Sequence, residues 1–265
     1  MQRCKVRVID SVSSVDTRGS DYGNWVSMKL LCVLGAVGAI LLGLSFVFSI
    51  LAGGAILFIL VFAYFAYARY EFSPRGGNVQ SRILESVLDC LDWNGEGRAL
   101  DIGCGNAPLT IMVAKKFPNS HVTGIDTWGQ AWDYSKSACE RNAAIEGVAG
   151  HVIFQKASAS ALPFERESFD AAVSNLAFHE VSDAKDKRAV IKEALRVIKK
   201  GGKFSFQDLF LERRIYGEIP DLLEEIRSWD VERVEFLDTY HLDFVPTALK
   251  LPFMVGTMGI LYGTK

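Results

Sequence analysis

The 265-residue sequence predicts an α/β protein: a doubly wound, mostly parallel sheet with an antiparallel C-terminal strand pair, preceded by a two-helix transmembrane hairpin. Three observations predict it. The run from Leu30 to Ala68 carries no charged residue and far exceeds the roughly 20 residues needed for one span. At Arg98 to Thr110 (RALDIGCGNAPLT) a short apolar run breaks into Gly103-Cys104-Gly105 and passes into a helical pattern, the strand, tight turn and helix start that nucleotide-type ligands use. Beyond it strands and helices alternate to Gly202, and the closing strands are separated only by Pro246 and Pro252.

Taken in order, Met1 to Ser27 is polar and without a sustained period, which predicts a poorly ordered tail. Met28 heads the apolar run, so Met1 and Met28 both remain candidate starts. The hairpin is assigned to residues 28–69, as helices Lys29 to Ile50 and Ala52 to Ala68 turning near Gly53-Gly54. A cleaved signal peptide has an h-region of about 7–15 residues, shorter than this run. A hairpin buried in a core is the other rival, and the domain that follows supplies a core of its own. Gly35, Ala39 and Gly43 recur every four residues, a spacing that allows close helix approach in lipid and that also arises from the Gly and Ala content of spans. Arg3, Lys5, Arg7, Arg18 and Lys29 precede the hairpin, Arg69 and Arg75 follow it, and its turn has no charge. The positive-inside rule then puts both ends, and the catalytic domain, in the cytoplasm. Five scattered cysteines, without paired spacing, fit a reducing compartment and suggest neither disulfides nor a metal site. A net charge of −2 gives no electrostatic footprint for nucleic acid.

Residues 70–265 form the predicted catalytic domain. Tyr70 to Asn78 is a connector in which Tyr70, Phe72 and Arg75 either cover a ligand or only link. Val79 to Leu91 is a helix with an apolar face. Strands are expected at 98–103, 121–126, 151–156, 169–175 and 202–208, with helices at 107–117, 129–146 and 184–199 between them. Strands at 232–238 and 254–263 complete the sheet, with no clear helix between them. Gly103 and Gly105 are needed where backbone must turn tightly and approach a ligand. Asp126 closes the second strand about twenty residues on, the spacing at which a carboxylate takes ribose hydroxyls. As a plain structural residue it caps a turn instead.

With these motifs in order the sequence resembles the class I S-adenosylmethionine-dependent methyltransferases, in particular the group that includes ubiquinone/menaquinone-biosynthesis enzymes. ALDIGCGN resembles that family's first motif, GID its second, SASALPF with ERESFDAAVSN its adenine-side loop and fourth strand, and EALRVIKKGGKFSFQD its later helix and fifth strand. The resemblance covers about Val79 to Lys265 and implies a Rossmann-like sheet and S-adenosylmethionine as cofactor. It implies a cofactor site of Asp101, Gly103, Gly105, Asn106, Asp126, Trp128, Ser158, Ala159 and Asn175. Asp101 would meet the cofactor's amino group or only pin the loop; Trp128 would lie on adenine or only pack. Two positions depart from the pattern: Ala107 stands where glycine is common, and Ser158 where an Asp is common, so adenine contact would lean on the backbone of Ala159. After the fourth strand, His179 beside Glu180 is the candidate general base; the alternative is a pair that caps or salt-bridges the next helix. The expectation is a membrane-anchored methyltransferase for a lipophilic small-molecule acceptor, with the bilayer as partner. A soluble or protein acceptor, or a cofactor-binding scaffold without catalysis, are the rival readings.

Overall fold

The computed structural model describes residues 19–129 and 134–265, and they fall into two compact units. The basic residues Arg3, Lys5, Arg7 and Arg18, and Cys4, lie outside the described residues.

One unit, residues 24–83, contains the apolar run. Helix α1 (Met28–Ser45) starts on Ser27, whose side chain accepts the Leu30 N–H. Helix α2 is Leu51–Phe72. At 1.5 Å per residue their 18 and 22 residues measure about 27 and 33 Å, the thickness of a hydrocarbon core. Both are long and apolar enough to cross a membrane, and the most apolar stretch of each is only 11% buried. That exposure disfavours the buried-core reading. The turn is not at the glycines. It lies at residues 46–50, where Phe46, Val47 and Phe48, weak helix formers, interrupt the ladder, while Gly53 and Gly54 sit in the first turn of α2. α2 also runs past Ala68, so Tyr70 and Phe72 are helical and not part of a connector. The helices pack on each other, but the close approaches are at Gly35, where an added methyl would lie 3.3 Å from the Phe62 ring, and Gly38, 3.4 Å from Ile59. Gly43 faces open space, because a helix repeats every 3.6 residues and a strict four-residue series drifts off the seam.

The other unit, residues 84–265 with the described part of the preceding tail, is built on a seven-stranded sheet. Helix α3 (Val79–Cys90) leads into β1 (Gly97–Ile102), α4 (Pro108–Lys116), β2 (Ser120–Asp126), α5 (Lys136–Ile145), β3 (Val152–Lys156), β4 (Phe169–Asn175), α6 (Lys187–Arg196) and β5 (Ile198–Asp208). Then come α7 (Arg213–Tyr216), α8 (Ile219–Arg227), β6 (Arg233–Asp238) and β7 (Gly259–Thr264). The spatial order is β3-β2-β1-β4-β5-β7-β6. β1 to β5 pair in parallel and β7 pairs antiparallel with both β5 and β6. Strand alternation sends side chains to two cores. Leu100, Ile102, Ala172, Phe204 and Phe206 face the side covered by Val190 and Ile191 of α6 and Leu222 and Ile226 of α8. Ala99, Ala171, Val173 and Ile260 face the side covered by α4 and α5 through Leu109, Ile111 and Cys139.

The helical span expected at 129–146 begins, among described residues, only at Lys136, where Ser135 caps it through Ala138 N–H. Residues 254–258 are turns, so the last strand starts at Gly259. α8 adds a helix between the fifth and sixth strands, carried by Pro220 in its first turn and by apolar Ile219, Leu222, Leu223 and Ile226 at helical spacing. The end of the tail is ordered: Asp21 and Asn142 exchange hydrogen bonds of 3.0 and 2.9 Å, and Ser20 and Tyr22 donate to Glu146.

Candidate active site

The carboxyl edge of β1 and β2 is closed by the glycine turn. Gly103 (φ +75°) and Gly105 (φ +56°) both occupy the left-handed region. A methyl on Gly103 would lie 2.1 Å from the Ala177 methyl, so the absent side chain lets the turn meet the loop after β4. The N–H groups of Gly103 and Cys104 both reach the Ile125 carbonyl, at 2.8 and 2.9 Å. Ala107, at the start of α4, also has a positive φ, +67°. An L-residue there costs about 1–2 kcal/mol, while its fully buried methyl recovers about 0.8 kcal/mol.

Asp126 braces this turn. Its Oδ2 accepts Gly105 N–H at 2.9 Å and its Oδ1 accepts Trp128 N–H at 2.7 Å, and the Trp128 indole N–H returns to the Gly105 carbonyl at 3.0 Å. The carboxylate is half-buried, and each oxygen keeps lone-pair capacity for a further donor. Trp128 also packs against the core on that side of the sheet. Asn106 is buried and works on the backbone: its Oδ1 accepts Ser135 N–H and its carbonyl accepts from Asn142. Tyr134, which the sequence did not single out, lays its ring 3.4 Å from where a Gly105 methyl would be. Burial, with the Glu180 and Asp126 charges, pushes its hydroxyl up to about 12.

Asp101 is almost fully buried. Its Oδ2 accepts the Thr110 hydroxyl at 2.5 Å, while its Oδ1 has no hydrogen-bond partner. Burial pushes this carboxyl up to about 7; the Thr110 bonds oppose the shift and Asp126 adds to it. Asn175 Oδ1, at the end of β4, is a second buried acceptor without a partner. Asp101 on β1 and Asn175 at the end of the neighbouring β4 thus each keep an unpartnered oxygen, and a donor such as an ammonium group would satisfy either. Ser158 and Ser160 both donate to Asp183, at 3.0 and 2.6 Å. A carboxylate therefore does stand at this loop, contributed from beyond β4, and Ala159 is buried next to it.

The loop after β4 turns through Leu176 (φ +53°) into a short 3-10 turn, Phe178–Glu180. His179 Nδ1 lies 2.7 Å from Asp208 Oδ1, and Asp208, at the end of β5, is fully buried. Asp208 also accepts Phe178 N–H at 2.8 Å and Leu209 N–H at 2.7 Å. Burial lowers the imidazole pKa, but the Asp208 hydrogen bond and the charges of Asp208 and Glu180 outweigh it and leave it raised. Glu180 stands 3.9 Å from Nε2 and is more exposed than the histidine. Asp208, missed in the sequence, holds Nδ1 and leaves Nε2 to exchange a proton.

Residues 100–206 match the family model described as "Methyltransferase domain". Over these residues the chain is similar to methyltransferase domains, and its seven-stranded sheet with an antiparallel last pair is the Rossmann-like methyltransferase fold. S-adenosylmethionine is the cofactor of such domains. The chain is 29% identical, over 56% of its length and 59% of the relative's, to a ubiquinone/menaquinone biosynthesis C-methyltransferase of Geobacter sulfurreducens. It is 32% identical to an O-methyltransferase of Aspergillus nomiae, over 43% of this chain and 48% of that one. It spans about half the length of the curated relatives it matches. Among solved structures, geranyl diphosphate C-methyltransferase from Streptomyces coelicolor A3(2) superposes with a TM-score of 0.53 over 71% of this chain and 79% of that one, at 16% identity, a likeness of fold.

Proposed function

We propose that the protein is a membrane-anchored enzyme that transfers a methyl group from S-adenosylmethionine to a lipophilic small molecule on the cytoplasmic side. The observation that carries the acceptor class is the pair of exposed apolar helices whose second member ends at Phe72, only residues 73–78 before α3. An acceptor dissolved in the bilayer would need a domain held at its surface. Relatives whose names give a small molecule, ubiquinone or menaquinone in one and a rifamycin in another, support a small-molecule acceptor.

In this reading Gly103, Gly105, Asp101 and Asn175 hold the methionine part, Asp126 the ribose, and Trp128, Ser158 and Ala159 flank the base, with Asn106 shaping the turn from beneath. The bound cofactor supplies a sulfonium methyl open to in-line attack. The protein's part is orientation, and removal of the acceptor's proton where the acceptor is a phenol, enol or carbon acid. His179 takes that proton at Nε2 while Asp208 stabilises the imidazolium that forms, and Glu180 adds negative charge nearby. Calorimetric titration with S-adenosylmethionine tests the cofactor site. Resistance to alkaline carbonate, with protease access only from the cytoplasmic face, tests the anchor; release by carbonate would favour a soluble or protein acceptor, and binding without transfer would favour the scaffold.

A further inference from the structure

Between β6 and β7 lies a segment, residues 239–258, that the proposed chemistry has not used. It leaves β6 at Asp238 and enters β7 at Gly259, which also pairs with Asp208. The segment therefore emerges at the sheet edge that carries His179 and Asp208. Its base is fastened there. Thr239 Oγ1 donates to the Met258 carbonyl at 2.6 Å, Leu211 N–H to the Thr257 carbonyl at 3.0 Å, and Gln207 Nε2 to Met258 Sδ at 3.2 Å.

The tip is apolar and faces solvent. Leu251, Pro252 and Phe253 are consecutive and exposed, Phe253 by 65% and Leu251 by 38%, whereas Met254 and Val255 just after them are buried. The tip is also a built turn: Met254 N–H and Gly256 N–H reach the Leu251 carbonyl at 2.9 and 3.0 Å, and Thr257 Oγ1 donates to the Pro252 carbonyl at 3.0 Å. A methyl on Gly256 would lie 2.6 Å from the Lys250 carbonyl, so the turn closes tightly. Beside it Lys250 Nζ stands 5.2 Å from the centre of the Tyr240 ring. Aliphatic side chains at a tip, with an aromatic ring and a lysine beside it, match the side-chain chemistry of the membrane–water interface.

We infer that residues 239–258 rest on the bilayer, with Leu251, Pro252 and Phe253 in the headgroup region, and form the wall past which a lipid-dissolved acceptor reaches His179. The inference rests on the anchored reading above and names the surface it uses. Chain length supports lipid as the occupant. Residues 73–78, fully extended, reach about 20 Å, so the chain enters α3 within that distance of the end of α2.

The test uses the full-length protein with Phe253→p-benzoylphenylalanine, and separately Lys200→p-benzoylphenylalanine at the opposite end of β5. Each is reconstituted in nanodiscs of phosphatidylcholine and phosphatidylglycerol, irradiated, and analysed by mass spectrometry for lipid adducts. At least tenfold more lipid adduct at position 253 than at 200 is expected. Equal yields, or adducts only to a second copy of the chain, in carbonate-resistant protein overturn the inference and leave the anchor standing. Protein released by carbonate overturns the anchored reading and this inference with it. A Leu251→p-benzoylphenylalanine variant repeats the measurement should the first fail to fold.

Discussion

Replacing Gly103 by alanine places a methyl where the backbone is left-handed and where the Ala177 methyl lies only 2.1 Å away. The backbone term costs about 1–2 kcal/mol and the overpacking about 1–3 kcal/mol, together roughly 2–5 kcal/mol out of a usual total of 5–15 kcal/mol. For a domain of this size that is a fall in Tm of roughly 5–20 °C, read from tryptophan fluorescence of the full chain in detergent. The second substitution separates the terms. Ala177→Gly on the Gly103→Ala background removes the clash but not the backbone strain, so it should recover about 1–3 kcal/mol less about 0.5–1 kcal/mol for the added glycine. Recovery of cofactor affinity should follow recovery of Tm. A Gly103→Ala protein that melts like wild type, or a double variant no more stable than the single, would refute the contact between glycine turn and β4 loop.

Three further outcomes follow from the same geometry. Asp126→Ala should weaken binding of S-adenosylhomocysteine by about 1–3 kcal/mol in calorimetry through lost charge-assisted hydrogen bonds, and unchanged affinity in the folded variant removes Asp126 from the site. Asp208→Asn removes the charge that raises the His179 pKa, so the acidic limb of the pH–rate profile should move to lower pH with turnover down about 10²-fold or more; a profile that stays in place denies the pair its role. Asp101, with its folded pKa raised to about 7 against an unfolded value of about 3.9, holds a proton in the fold that the unfolded chain has released. Its contribution to stability should therefore fall as pH rises from about 4 to about 7, by at most about 1.4 kcal/mol per pH unit, and denaturant unfolding of Asp101→Asn should lose that slope.

What was legible in the sequence was local. ALDIGCGN and HVTGID carry strand, turn and acid within one stretch, and the structure builds them as β1, the glycine turn and β2. The long-range partners were not legible. His179 was read against its neighbour Glu180, but its closest carboxylate comes from Asp208, 29 residues away, brought in by the parallel pairing of β4 with β5. Ser158 was read as a missing acid, whereas Asp183 supplies one from 25 residues on. In the hairpin, Gly53-Gly54 is the turn signal in the sequence, though apolar helices tolerate glycine and the Phe46–Ile50 segment turns instead. An acid at the end of a predicted strand, as in QD at 207–208, was the signal available for Asp208.

The acceptor class is measured most directly by the partition of methyl label after incubating the reconstituted protein with labelled S-adenosylmethionine and a lipid extract of its own membrane. Label is expected in the organic phase, transferred at a rate reduced about 10²–10⁴-fold by His179→Gln while cofactor affinity stays near wild type. Label confined to the aqueous or protein fraction, or organic-phase label formed equally fast by the folded His179→Gln variant, would contradict that expectation.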